Sequence, residues 1–160
     1  MSGVIWQANL QNAHLDYAIL NCFNFEGANL SNAYLHNAKL QLANLRNADL
    51  SNADLTCARM ECARLDKAKL IKADLREVFL NGAVLCGADF TNADLRDACL
   101  HGAIVNDADF TGAIVRSDTF NFVMRLNMAI GIKSVRVDDS TKLGVIYGRA
   151  VEERDAFYHR

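Results

Sequence analysis

The sequence predicts an all-β solenoid, a chain wound into a narrow tube and closed at its C-terminal end by a short helical or irregular cap. Three observations carry this expectation. From Ala28 to Leu55 an Ala-X-Leu triplet recurs every five residues, with two mostly polar residues between triplets; a period of five matches neither the 3.6 of a helix nor the 2 of a flat strand. Residues two apart in extended chain share a face, so Ala and Leu point inward together. The next pair begins three residues later, an odd step, and the backbone must turn a corner between pairs. Finally, the 160 residues include no Pro, as suits a ladder in which every inter-coil bond needs an N–H. A narrow tube holds one large inward side chain per side only if the other is small, which accounts for Ala.

The run Ala-(Asp/Asn)-(Leu/Phe)-X-X extends from Ala8 to about Ser117 and resembles the pentapeptide-repeat proteins. The resemblance implies a right-handed quadrilateral β-helix with four repeats per coil. The span then holds 110/5 = 22 repeats, a tube of roughly 26 Å at the spacing of strands in a sheet.

The elements follow in order. Residues 1–7 form an N-terminal cap in which Gly3 and Ile5 keep the inward register; Ile5 and Trp6 are expected to close the open end. Residues 8–117 form the β-helix. Its core consists of Leu30, Leu35, Leu40, Leu45, Leu50, Leu55, Met60, Leu65, Leu70, Leu75, Leu80, Leu85, Phe90, Leu95, Leu100 and Phe110. Phe23 and Val78 replace the small inward Ala, and each is expected to bulge or widen its coil locally. Residues 118–160 are a capping or dimerisation segment. Within it, 121–130 has helical spacing with Gly131 at its end, 132–137 alternates as a strand, 145–147 suits a further strand and 149–160 a terminal amphipathic helix.

The formal net charge of −2 points to neither a direct nucleic-acid binder nor a strongly acidic mimic. No stretch approaches the roughly 18 apolar residues of a membrane span, and the start lacks the features of an export signal, so the expected location is cytoplasmic, away from the membrane. Five Cys (Cys22, Cys57, Cys62, Cys86, Cys99) with no Cys-x-x-Cys pair are expected to be reduced thiols. The sequence offers no Gly-rich phosphate loop, zinc spacing or nucleophile motif, so no metal, cofactor or catalytic residue is expected. The chain is read as a non-enzyme.

Stacking the sequence in steps of 20 gives four outward faces. The charged face, centred on Leu15, Leu35, Leu55, Leu75 and Leu95, carries Asp54, Asp74, Asp94, Glu77 and Asp97 flanking an arginine column of Arg76, Arg96 and Arg116. His36 above Asp16 has the outline of a general-base pair but no nucleophile or cleft. The apolar face, centred on Leu20, Leu40, Met60, Leu80 and Leu100, carries Ile19, Leu42 and Phe79, and Val84 and Ile104 extend its corner. Such a strip marks a candidate contact surface, against the plainer reading of scattered surface apolars. Arg59, Arg64, Lys67, Lys69 and Lys72 form a basic band, to be read as solvated charge or as a phosphate contact.

The leading expectation is a protein–protein interaction scaffold whose partner the sequence does not name. The resemblance supplies an alternative: some pentapeptide-repeat relatives bind type II topoisomerase by imitating DNA with an acidic rod, conferring inhibition or quinolone protection. Residues 4 to 117 carry 13 acidic and 10 basic side chains, a net of 13 − 10 = 3 negative charges, a weak field for a DNA imitation. The resemblance also allows a homodimer through residues 118–160; covering the chain's own core is the other use open to that segment.

Overall fold

The computed structural model describes residues 5–115 and the backbone of Arg136 and Val137. The repeat gives a four-sided β-helix. Residues twenty apart pair in parallel at the position before each central residue, from Asn9 with Asn29 through Asp94 with Ile114, eighteen such pairs among the described residues. Twenty residues therefore make one coil, and a corner every five makes four sides.

The backbone amides explain the period. In the repeat Ala28-Asn29-Leu30-Ser31-Asn32, the Asn29 N–H donates to the Ala8 carbonyl at 2.9 Å, Leu30 to Asp49 at 2.7 Å and Asn32 to Ser51 at 2.9 Å. The Ala33 N–H donates back to Leu30 across the corner at 3.0 Å. Four of every five amides are thus used by the ladder and the turn, and the pattern recurs through the helix. The corner is a four-residue turn whose third residue alone has positive φ, the type II arrangement. In half of the described corners this position is Asn (Asn12, Asn32, Asn37, Asn47, Asn52 and Asn92) or Gly (Gly27, Gly82, Gly87, Gly102 and Gly112), the residues that tolerate left-handed backbone best, and in the rest the ladder holds other residues there, such as Leu42 and Lys67, at the same φ. At Gly112 the corner is also crowded, for an added Cβ would stand 2.4 Å from Asn92 Oδ1.

Inside the tube, Ala and the central residues form one continuous core. The centres from Leu30 to Leu100, together with Phe110, are buried, and among the described residues no polar or charged side chain is buried with them. Phe90 and Phe110 occupy the same side of successive coils and stack with centroids 4.7 Å apart and planes 2° from parallel, the coil spacing carried into the core.

Three expectations need correction. Trp6 does not close the N-terminal end: it is 58% exposed, because it is the second residue of the turn from Ile5 to Ala8 and points outward. Ile5, which enters the ladder through its N–H on the Asn24 carbonyl at 2.8 Å, does pack against the core. Phe23 and Val78 do not bulge their coils. Their turn bonds lengthen to 3.3 and 3.2 Å, yet their carbonyls still accept the ladder bonds from Asn44 and Cys99 at 2.9 and 2.8 Å. The Phe23 ring, partly buried like Leu10, Leu15 and Ala18 of the first coil, packs against the core and stacks on Phe25 at 5.9 Å.

At the C-terminal end two short strands pair in parallel, β1 (Ile114–Val115) and β2 (Arg136–Val137). β2 lies within the expected strand 132–137. The partners stand 22 residues apart, not 20, and the pairing lies at the end of the charged face. The expected helices at 121–130 and 149–160, the strand at 145–147 and the dimerisation role of 118–160 otherwise lie outside the described residues. Among the described residues, no helix is long and apolar enough to cross a membrane.

Candidate functional surfaces

One amide per repeat remains, that of the residue after the centre, and the side chain before the centre takes it. Asn9, Asn24, Asn29, Asn44, Asp49, Asp54, Asp74, Asp89, Asp94 and Asp109 each accept the N–H two residues ahead, at 2.8 to 3.3 Å. Every Asn or Asp in that slot among residues 8–115 does so. This Asx hydrogen bond is the physical reason for the second letter of the repeat. It is a structural duty, and the sequence reading did not assign it.

The acidic column is therefore first a set of caps. Asp54 Oδ1 also accepts the Thr56 hydroxyl at 2.6 Å. Asp74 and Asp94 each hold a two-pronged arginine, from Arg76 Nε and Nη2 at 2.8 and 2.6 Å and from Arg96 Nε and Nη2 at 2.9 and 2.6 Å. Partial burial pushes the Asp94 carboxyl up, but the hydrogen bonds from the Arg96 side chain and backbone and the charges of Arg96 and Arg76 outweigh it, so it lies below the usual range. The same chemistry raises Arg76, chiefly through its hydrogen bond to Asp74. Glu77 stands at a corner, where its Oε2 faces the Cys57 thiol at 3.7 Å; partial desolvation and the Glu77 carboxylate raise that thiol. Asp97 occupies the corresponding corner one coil on, also at positive φ.

His36 and Asp16 do not form a general-base pair. Asp16 Oδ1 accepts the His36 backbone N–H at 3.2 Å, while the ring bonds elsewhere. Because Asp54 Oδ1 only accepts, Thr56 must donate to it, His36 Nδ1–H must donate to Thr56 Oγ1 at 2.6 Å, and Asn37 Nδ2 donates to His36 Nε2 at 2.7 Å. The chain of bonds fixes the tautomer and leaves Thr56 without a base.

The apolar residues separate into two groups. Ile19 and Leu42 lie in the first two coils, Leu42 at a left-handed corner with φ 59. Phe79 stands three coils beyond Ile19, Val84 on the adjoining side of that coil and Ile104 one coil further, with Val84 paired to Ile104 and Phe79 to Cys99 across the ladder. Lys39 and Arg59 stand between Ile19 and Phe79 in the same column, and Arg59 is paired with Glu61 at 2.7 Å. Phe79 and Ile104 are 39% and 44% exposed, and Val84 is half-buried. In the basic band, Arg64 faces Asp66 at 3.5 Å. Among the described residues, no group of His, Cys, Asp and Glu could hold a metal ion, and all five Cys are free thiols.

These apolar residues share a property that spacing alone does not reveal. Ile19, Phe79, Val84 and Ile104 all occupy the slot that holds the capping Asn or Asp in ten repeats between residues 8 and 115, and Lys39, Arg59, Arg64 and Lys69 among others in the rest. On the apolar face the duty passes to another column: Asn21 Oδ1 accepts the Gln41 N–H and Asn81 Oδ1 the His101 N–H, each at 3.1 Å and from one coil away. A non-Asx residue in the second slot was the signal available in the sequence.

Comparison with known proteins agrees with this geometry. The pentapeptide-repeats family matches in 8 copies over residues 8–47, 43–71 and 68–107. Among solved structures, HetL, a pentapeptide repeat protein involved in heterocyst differentiation regulation in the cyanobacterium Nostoc sp. strain PCC 7120, is 30% identical with a TM-score of 0.54. The match covers 71% of this chain and 62% of HetL, so the chain spans less than two thirds of that protein's length. Rfr23 from the cyanobacterium Cyanothece 51142 is 32% identical over 62% of this chain and 60% of its own, with a TM-score of 0.36. QnrB1, a plasmid-mediated fluoroquinolone resistance protein, is 14% identical over 92% of this chain and 86% of its own, with a TM-score of 0.41, a likeness that carries no functional argument. No curated protein matches the sequence. With the family match extending over residues 8–107 and a coil of four five-residue sides, the chain belongs to the pentapeptide-repeat family.

Proposed function

We propose that this chain is a non-enzymatic interaction scaffold, and that the corner formed by Phe79, Val84 and Ile104 is its principal partner surface. One observation carries the reading: at these positions the sequence forgoes the local cap and places an apolar side chain where the fold would be better served by Asn or Asp. A side-chain hydrogen bond to such an amide contributes about 1 kcal/mol, so the fold alone gives no reason for the exchange. A rigid ladder presents such a patch with little ordering cost on binding.

The test follows from the same observation. The double variant Phe79→Asn/Ile104→Asn restores the family's own residue in both slots. It is expected to be as stable as the parent or more so, by about 1 kcal/mol per regained cap. It is also expected to lose partner capture when the immobilised chain is exposed to extract of its source cells. Capture of the same proteins by parent and variant would remove the corner as the contact.

The topoisomerase-binding alternative would rest on Asp54, Asp74, Glu77, Asp94 and Asp97. It is the weaker reading, because Asp74 and Asp94 are each neutralised by a two-pronged arginine and all three Asp of the column serve as caps. Supercoiling by purified DNA gyrase, titrated with the chain and with or without a quinolone, is expected to be unaffected; dose-dependent inhibition or relief of the drug would reinstate this reading.

A further inference from the structure

The charged face is not uniform along its length, and its two halves differ in kind. In the coils that contain Asp74 and Asp94, each carboxylate is bound by the arginine two residues ahead. In the first three coils the face reads Ala13-His14-Leu15-Asp16-Tyr17, Ala33-Tyr34-Leu35-His36-Asn37 and Ala53-Asp54-Leu55-Thr56-Cys57, without a lysine or arginine. The outward side chains there are aromatic (His14, Tyr17, Tyr34, His36), acidic (Asp16, Asp54) or small and uncharged (Asn37, Thr56, Cys57). His14 and Tyr34 stack with centroids 4.7 Å apart and planes 4° from parallel. Tyr17 stands edge-on to His36 at 5.5 Å, and Tyr17 and Tyr34 are 67% and 46% exposed. Asp16 is exposed, and among the described residues its carboxylate accepts only the His36 backbone N–H.

Two features set this surface apart from ordinary solvated side chains. Tyr17 holds a left-handed corner, φ 59, a position that Asn or Gly fills in half of the described coil corners and where an aromatic residue is strained; Tyr17 is the one aromatic among them. Tyr34 and His14 fill the slot that in the next three coils of the same column holds a capping Asp. At Tyr34 the cap is supplied from one coil away, since Asp16 Oδ1 accepts the His36 N–H; at Tyr17 and His14 the local preference is set aside, and what is gained is an aromatic surface with negative charge beside it. The nearest guanidinium along the face, Arg76, is already held by Asp74.

We propose that this N-terminal half of the charged face docks a cationic segment of a partner protein, one that presents arginine side chains. A guanidinium stacks on tyrosine rings through its planar, weakly hydrated face and donates in pairs to a carboxylate, which matches Tyr17, Tyr34 and Asp16. Asp16 and Asp54 stand two coils and two residues apart, about 12 Å by strand geometry, so two arginines of an extended peptide can reach both. Phosphate-bearing ligands are disfavoured by the same carboxylates. The site lies apart from the corner of Phe79 and Ile104 and does not depend on it.

The test is fluorescence anisotropy of the full chain with a fluorescein-labelled hexa-arginine peptide, a hexa-lysine peptide and a thymidine oligonucleotide of similar length. Hexa-arginine is expected to bind in low salt, at least threefold more tightly than hexa-lysine, with no binding of the oligonucleotide. Tyr17→Asn/Tyr34→Asn, which introduces the family's usual residues and so leaves the coil intact, is expected to weaken hexa-arginine at least fivefold, and Asp16→Asn at least threefold. Asp89→Asn/Asp109→Asn on the neighbouring face, which keeps both caps, is expected to change it less than twofold, as is Phe79→Asn/Ile104→Asn. Equal affinity for the two peptides, an unaffected tyrosine variant, or binding of the oligonucleotide would each overturn the proposal.

Discussion

Replacing Leu65 by Ala tests the idea that the tube's walls cannot close around a lost side chain. Leu65 is fully buried, and its N–H donates to the Val84 carbonyl at 2.7 Å while the preceding residue's carbonyl accepts from Leu45 at 2.7 Å. Removing three carbons forfeits roughly 2.4 kcal/mol of transfer free energy at about 0.8 kcal/mol per carbon. The cavity term adds to this wherever the surroundings cannot relax, and measured Leu→Ala losses span about 2.7–5.0 kcal/mol. Coils pinned above and below at hydrogen-bond distance can approach one another very little, so the expected loss lies near 4 kcal/mol. Leu15 gives the comparison, for it is only partly buried in the first coil, and Leu15→Ala should cost about 1 kcal/mol because less area is returned to water. The assay is equilibrium urea unfolding followed by far-ultraviolet circular dichroism, with hydrogen exchange to locate the loosened coil, since solenoids need not unfold as one unit. Losses of equal size at the two positions, or a loss below about 2 kcal/mol at Leu65, would refute the rigid-wall argument.

Three further outcomes are expected. Asp49→Ala, which removes the acceptor of the Ser51 N–H at 3.0 Å, should destabilise the chain by about 1 kcal/mol, whereas Asp49→Asn should be nearly neutral in the same urea series. Cys57 should react with iodoacetamide more slowly near pH 8 than the exposed Cys22, Cys62 and Cys99, because desolvation and Glu77 raise its thiol; Glu77→Gln should narrow the gap, as read by mass spectrometry of the labelled peptides. The folded Asp94 carboxyl lies below its ordinary value, so its share of stability is present above the unfolded value near 4 and is lost as pH falls through the folded one. Acid titration of unfolding should therefore show a decline below about pH 4 that Asp94→Asn diminishes.

Much of the fold was legible because its period is a geometric constraint: Ala and Leu two apart, then a step of three, leave a cornered coil as the arrangement that buries both. The number of sides came through family resemblance, and the coil of twenty residues from Asn9 to Ile114 agrees with it. The meaning of the second slot was not legible, because amphipathic reasoning sees only which side chains point out. It takes an account of the amides to show that one in five lacks a backbone acceptor and that Asn29 or Asp89 supplies it. Trp6 failed for a related reason: hydrophobicity suggested a plug, whereas its place in the turn points it outward. The apolar strip looked continuous when written in steps of 20, but Lys39 and Arg59 divide it once exposure is considered.

Acidity is a poor guide to function in this fold, since Asp and Asn serve equally as caps and the choice between them costs the coil little. Asp89 and Asp109 cap Thr91 and Thr111 as Asn29 caps Ser31, yet the first two add charge and the third does not. Where the second slot holds Phe79 or Ile104, however, no exchange of equals explains the residue, because a hydrogen-bond acceptor has been given up. A site on such a rod is better sought where the repeat's own bonding is set aside than where its charge is highest. That criterion also picks out Lys39, Arg59, Arg64 and Lys69; the Phe79–Ile104 corner and the Tyr17–Tyr34 surface add exposed apolar or aromatic side chains to it, and they ask for partners of different chemistry: an apolar contact at one and arginines at the other. A single rigid body carrying both could hold two proteins at a fixed spacing, set by coils that do not bend.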